Sequence, residues 1–341
     1  MASTTAPGSV PSPSLVFETL NAYQRSAALR AAIELDLFRY IGPGSVDAAS
    51  LARNCSASER GIRILCDFLT VDGLLLKENG RYQHSPTSAV FLDPRSPACM
   101  SSISRFIGTA AMQEPYAHLA DIVRSGRTSL AGEGNVEPEH PMWVDFAHAM
   151  TPMMAPMSAH LAALVLEGRS GPLRVLDIAA GHGLFGIAVA QQETQARVTA
   201  VDWASVLEVA KSNAHKAGVA DRYETLAGSA FTVEYGGPYD ILLLTNFLHH
   251  FDMATCTQLL KKLRASSKPG ACVAALEFVP NADRVSPPMP ATFSLTMLVG
   301  TPGGDAYTFA ELAQMYTDAG FTQITQHPIP MSPETAVIGR A

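Results

Sequence analysis

The stretch "VLDIAAGHGLFG", residues 175–186, decides how this chain is read. An apolar run ends in a turn of small residues and passes straight into an apolar helix pattern, a strand–turn–helix unit. Gly181 and Gly183 let the backbone come close to a ligand, and the helix start beyond them offers free N–H groups. Nineteen residues after Gly183, "VTAVDW" ends a second strand at Asp202. A carboxylate there can accept hydrogen bonds from both ribose hydroxyls of an adenosine. Two plainer readings stand beside this one: an ordinary βα turn for the glycines, and an N-cap on the following helix for Asp202, which can serve both purposes. Trp203 is positioned to lie against an adenine face and is as readily plain core.

The spacing suits a dinucleotide or S-adenosylmethionine. A dinucleotide turn reads G-x-G-x-x-G with its first glycine straight after the strand. Here the strand ends in an acid, Asp177, followed by Ala179, Gly181 and Gly183 at alternate positions. Downstream the alternation continues. Buried-looking strands at 197–202, 223–228, 239–246 and 271–280 are separated by helical stretches, which implies a mostly parallel sheet with helices on both faces. After a helix ended by Gly320, "TQITQHPI" and "ETAVIGRA" are too close for a crossover helix and should pair antiparallel at a sheet edge.

Upstream of "EGRSGP" the character is helical. One long helix is expected over 15–41, then two shorter ones, "VDAASLARN" and "SASERGIRILCDFLTVDG". A strand pair follows, with Asn79-Gly80 as a strong hairpin turn. Helix, helix, wing is the order of a winged helix. The expected organisation is a disordered tail over 1–13, a winged-helix domain over 14–108, a helical linker contributing to a substrate pocket over 109–168, and a Rossmann-like α/β domain over 169–341. The tail lacks the basic and apolar regions of a secretory signal, and no uninterrupted apolar run reaches membrane-spanning length. Five scattered cysteines with no Cys-x-x-Cys pair argue against a zinc site or disulfide framework and suit a reduced, cytoplasmic protein.

The acid-headed turn resembles the first motif of S-adenosylmethionine-dependent methyltransferases. Joined to Asp202, "AGSAF" (227–231) and "TNFLHHFD" (245–252), the chain from about residue 14 onward resembles the plant caffeate- and hydroxyindole-type O-methyltransferases and their bacterial relatives. The resemblance implies a class I methyltransferase domain behind an N-terminal winged-helix dimerisation domain, hence a homodimer, with S-adenosylmethionine as cofactor. It also implies cofactor contacts from Asp177, Ala179, Gly181, Gly183, Asp202, Trp203, Ser229, Phe231 and Asn246. The family's catalytic histidine falls on His249, and the glutamate ending its next strand on Glu277 in "LEFVP". His250 stands where an aspartate is usual, as a cap or substrate-side residue. A second family glutamate is replaced by Ala306, leaving Asp305 as the expected substitute, and Ser229 replaces an acid that usually meets adenine.

These residue types fit the chemistry. A phenol has a pKa near 10, so little phenolate exists at neutral pH, and an imidazole on the hydroxyl can take its proton during attack. A carboxylate on the other ring nitrogen holds the tautomer. Methionines cluster in "AMTPMMAPM" and "PPMPATFSLTML" and could form a slot for a flat ring. By the family's pattern Met150 and Met297 clamp an aromatic acceptor, with Phe146, His148 and Phe293 as further walls. Core packing is the plainer use of Met153, Met154 and Met157. No acidic cluster suggests a metal.

Three rivals keep parts of this reading. A winged-helix regulator would need a basic face, yet residues 46–95 carry six basic and six acidic side chains and the whole chain is at −7. Relatives that bind S-adenosylmethionine but hydroxylate or decarboxylate typically lack the His/Glu pair. A dehydrogenase conflicts with the acid-headed turn and the antiparallel last strand.

Overall fold

The computed structural model describes residues 11–330 and 332–341. Of the tail expected over 1–13, residues 1–10 lie outside the described residues, and residues 11–13 are exposed. The chain divides into two compact units, the first ending at Ser104 and the second beginning at Arg105.

In the first unit the region 15–41 is three helices rather than one: α1 (Ser14–Leu20), α2 (Ala22–Glu34) and α3 (Leu37–Ile41). Asp36 breaks the run in the left-handed region, φ 54°, a conformation that Asp tolerates better than most side chains. The break turns Leu37, Phe38 and Ile41 into the core. β1 (Val46–Asp47) leads into α4 (Ala48–Asn54), where the Asp47 side chain accepts the Ser50 N–H. Helix α5 (Glu59–Val71) is capped by Ser58 and buries Ile62, Cys66 and Leu69, one apolar stripe at i, i+4 and i+7. β2 (Leu75–Glu78) and β3 (Arg81–His84) join through Asn79 and Gly80, both at positive φ as a tight hairpin requires. β1 adds to β3, giving the order β1-β3-β2, and α6 (Pro86–Phe91) follows. The winged-helix arrangement read from the sequence is present, with β1 as a strand too short to leave a pattern.

The second unit opens with α7 (Ala110–Gln113), α8 (Leu119–Ser125) and the 25-residue α9 (Met142–Leu166). By length and composition alone α9 could cross a membrane, yet 44% of its apolar window is buried inside the unit. Then come β4 (Arg174–Ile178), α10 (Leu184–Gln192), β5 (Arg197–Asp202), α11 (Ala204–Lys216), β6 (Tyr223–Ala227), β7 (Tyr239–Thr245), α12 (Met253–Ala265) and β8 (Ser267–Glu277). α13 (Pro288–Gly300), α14 (Phe309–Asp318), β9 (Thr322–Pro328) and β10 (Thr335–Arg340) complete it.

The sheet order is β6-β5-β4-β7-β8-β10-β9, parallel through β8, with β10 antiparallel to both β8 and β9. The last two strands therefore pair antiparallel at one edge as expected. β4 and β7 are neighbours although β5 and β6 lie between them in sequence. The chain reverses its direction of travel there, the place where open α/β sheets form a ligand crevice beyond the strand ends. The central strands are almost wholly apolar, as strands covered on both faces must be. Asp177 stands out among them as an acid fully buried in β4.

Candidate active site

The carboxyl ends of β4, β5, β7 and β8 carry the site. After β4 the backbone takes left-handed conformations at Ala179 (φ 51°), Gly181 (φ 55°) and Gly183 (φ 76°). Gly183 has a second reason: a Cβ there would stand 2.6 Å from the Tyr223 hydroxyl and 2.9 Å from the Ala210 Cβ. The Gly181 N–H donates to Asp202 Oδ2 (2.8 Å), and the Trp203 N–H donates to Oδ1 (2.7 Å). Asp202 thus ties the turn to the end of β5. It is not the N-cap of α11, a position that falls on Trp203. Burial pushes the Asp202 carboxyl up to about 6, against the pull of its two N–H donors. Burial, with Asp202 nearby, pushes Asp177 up to about 8. Asp177 Oδ2 accepts the Gly186 N–H, and Oδ1 has no partner.

A cavity of about 650 Å³ opens over this turn. Ala179, Gly181, Asp202, Trp203, Ser229, Phe231 and Asn246 line it, whereas Asp177 and Gly183 sit behind the turn and are not among its lining residues. Trp203 does two things at once, since it also packs on the small cluster of Ala147, Val206 and Val209. The opposite wall comes from Trp143 and Phe146 on α9, and from Phe247, His250 and Phe251 after β7. A carboxylate lining an aromatic-walled space beside a glycine turn, with lone pairs left after its two backbone donors, suits an adenosine-bearing cofactor. Among the described residues no group of three or more His, Cys, Asp or Glu side chains comes together to hold a metal.

His249 and Glu277 meet at the ends of β7 and β8. The His249 Nδ1–H donates to Glu277 Oε2 at 2.5 Å, and Glu277 Oε1 accepts the backbone N–H groups of Phe247 (3.1 Å) and Leu248 (2.8 Å). One carboxylate therefore holds both the ring and the turn that carries it. With Nδ1 committed as donor, the lone pair lies on Nε2. Phe293 meets the His249 ring edge-on at 4.9 Å and stacks on Phe278 at 3.9 Å. His250 is also buried, its Nδ1 unpartnered and its ring edge-on to Trp143 at 5.3 Å. Burial, then the adjacent His249, hold His250 far below the usual imidazole range, so it is neutral.

Several expected residues lie elsewhere. Asp305 pairs with Arg284 (3.1 Å), a cation on the loop before α13, and its other oxygen accepts the Ala306 N–H (2.8 Å). Met150 and Met297 are buried but do not line the cavity, nor does Phe293. His148 is exposed on α9. Residues not foreseen include Trp143, whose indole N–H donates to the Asn135 carbonyl (3.1 Å) beside the lining segment Glu133–Pro138. Gly304 was also missed: a Cβ there would collide with the His249 carbonyl and lie 2.7 Å from Thr301 Oγ1. The "GG" of "GGDAY" was the available signal.

The crevice position, the acid at the end of β5 and the buried His–Glu pair at successive strand ends fit the class I methyltransferase fold. Residues 116–322 match the O-methyltransferase domain model and residues 17–94 the O-methyltransferase dimerisation domain model. The chain belongs to the S-adenosylmethionine-dependent O-methyltransferase family. It is 28% identical over 327 residues to mouse acetylserotonin O-methyltransferase, covering 91% of this chain and 84% of that one. It is also 28% identical over 320 residues to 3-hydroxy-5-methyl-1-naphthoate 3-O-methyltransferase of Streptomyces sahachiroi, covering 92% and 90%. A crystal structure described as a putative O-methyltransferase from Nostoc punctiforme superposes with TM-score 0.95 at 48% identity, covering 97% of this chain and 100% of that one.

Proposed function

We propose that this enzyme methylates a hydroxyl, phenolic in class, on a small aromatic acceptor, with His249 as general base and Glu277 as its orienting carboxylate. The observation that carries the reading is the 2.5 Å Nδ1–Oε2 bond between two buried side chains at the ends of β7 and β8, the histidine next in sequence to the cavity-lining His250 although neither side chain lines the cavity itself. S-adenosylmethionine supplies an electrophilic methyl on a sulfonium, and Asp202 and the Gly181 turn are the residues to hold its nucleoside end. As the acceptor oxygen bonds the methyl carbon in line and the carbon–sulfur bond breaks, the hydroxyl proton passes to His249 Nε2. Glu277 then faces an imidazolium and stabilises it. A positioned base of this kind is worth about 10² to 10⁴ in rate. Aromatic walls from Trp143, Phe146 and Phe247 favour a flat acceptor. Relatives named for naphthoate and polyketide substrates support the same class. The matched dimerisation domain supports a homodimer.

The test is a panel of phenols, catechols and hydroxylated polycyclic aromatics incubated with enzyme and S-adenosylmethionine, read by mass spectrometry. Methylated product that disappears in His249→Ala, with cofactor binding retained, is the expected result. Undiminished methylation by His249→Ala removes the base. Oxygenated or decarboxylated products instead of methylated ones would remove the methyl-transfer reading.

A further inference from the structure

Glu334 is 2% exposed at the start of β10, and Thr335, its neighbour, pairs in register with Glu277. Its carboxyl is near enough to feel the Glu277 charge and the Asn246 amide, and among the described residues neither oxygen has a well-formed hydrogen bond. The titratable group set against it is Glu277, and through Glu277 the ring of His249. A buried carboxyl without partners is costly unless it is neutral or has a task. The site already has one fully engaged acid, since Glu277 accepts three N–H donors. The second acid expected at Asp305 is held by Arg284. Asn246 lines the cavity in a left-handed backbone conformation, φ 55°, one that asparagine tolerates.

We infer that Glu334 is a positioning residue of the transfer reaction: as a neutral carboxylic acid it orients the Asn246 amide and leaves Glu277 the sole negative charge behind His249. The inference rests on the reading of His249 as base. Burial and the Glu277 charge push the Glu334 carboxyl up to about 8, so it keeps its proton at neutral pH. Once ionised it would set a second negative charge beside Glu277 and alter the field at His249.

The test needs no acceptor. Histidine-labelled enzyme is titrated by NMR, with His249 assigned from the signal lost in His249→Gln. The His249 ring resonances are expected to move around pH 8 as the nearby carboxyl loses its proton, and that step is expected to be absent in Glu334→Gln. A wild type without the step, or a Glu334→Gln variant that keeps it, overturns the inference. Calorimetry of S-adenosylmethionine binding supplies a second reading. Glu334→Ala should weaken binding several-fold through Asn246, Glu334→Gln should restore most of the loss, and Glu334→Ala/Asn246→Ala should lose no more than Asn246→Ala alone. Additive losses would overturn the link to Asn246. The base reading fails separately, through active His249→Ala.

Discussion

Replacing Glu277 by Gln keeps shape and removes charge, so it isolates what the carboxylate does for His249. In the folded enzyme both Glu277 oxygens only accept, from Phe247 N–H, Leu248 N–H and His249 Nδ1–H. A glutamine has one accepting oxygen for these three donors. If that oxygen keeps the two backbone donors, the amide NH₂ faces Nδ1 and forces the ring to accept there, moving its proton to Nε2 and removing the lone pair that takes the acceptor proton. If it keeps Nδ1–H, two buried N–H groups lose their partner at about 1–3 kcal/mol each. The first arrangement is the milder for folding and forfeits the base. Its full worth of 10² to 10⁴ corresponds to about 2.7 to 5.4 kcal/mol at 1.36 kcal/mol per tenfold. The expected result is a single-turnover methylation rate lowered at least about 100-fold on an acceptor from the phenol panel. The dissociation constant for S-adenosylmethionine should stay within about threefold, since Glu277 does not line the cavity. A Glu277→Gln enzyme that transfers methyl at wild-type rate would refute the coupling of carboxylate, tautomer and base.

Asp202→Ala should weaken S-adenosylmethionine binding by about one to two orders of magnitude by calorimetry, because two charge-assisted ribose contacts and the anchor of the Gly181 turn go together; an unaltered dissociation constant would remove the ribose assignment. In the unaltered enzyme the Asp202 carboxyl sits at about 6. Binding needs its ionised form, so affinity should be level above pH 7 and fall by up to about tenfold per unit below pH 6. A flat profile down to pH 5 would contradict it. Gly304→Ala drives a Cβ into the backbone carbonyl of His249, which cannot yield as a side chain would. The melting temperature should fall by an amount corresponding to about 1–3 kcal/mol, with turnover reduced as well, and an unchanged melting curve would show that the loop shifts freely. Methyl transfer should survive excess EDTA; loss of activity restored by magnesium would assign the proton removal to a metal-bound site.

The cofactor side was legible because its determinants are local. Asp177, Ala179, Gly181 and Gly183 lie within one strand–turn–helix unit, where backbone freedom and strand alternation are written residue by residue, and Asp202 follows at the fixed length of one helix and one strand. His249 and Glu277 were legible only through resemblance to a family, since nothing in either segment announces that they meet. The helix break at Asp36 was hidden because apolar periodicity runs on through it, and β1 because two residues carry no period. Asp305 looked like the missing acid by position, until Arg284 from a separate loop drew it into an ion pair.

By itself, then, the order of residues determined the doubly wound sheet, its switch point and the carboxylate at the end of β5 that anchors the glycine turn, because short-range sterics and hydrogen bonding decide these along the chain. Only the tertiary structure brought Trp143 to His250, Gly304 over the His249 carbonyl and Glu334 behind Glu277. Those contacts join residues from 55 to 107 positions apart. They are chosen by which surfaces the whole core buries together, a property that no single segment contains.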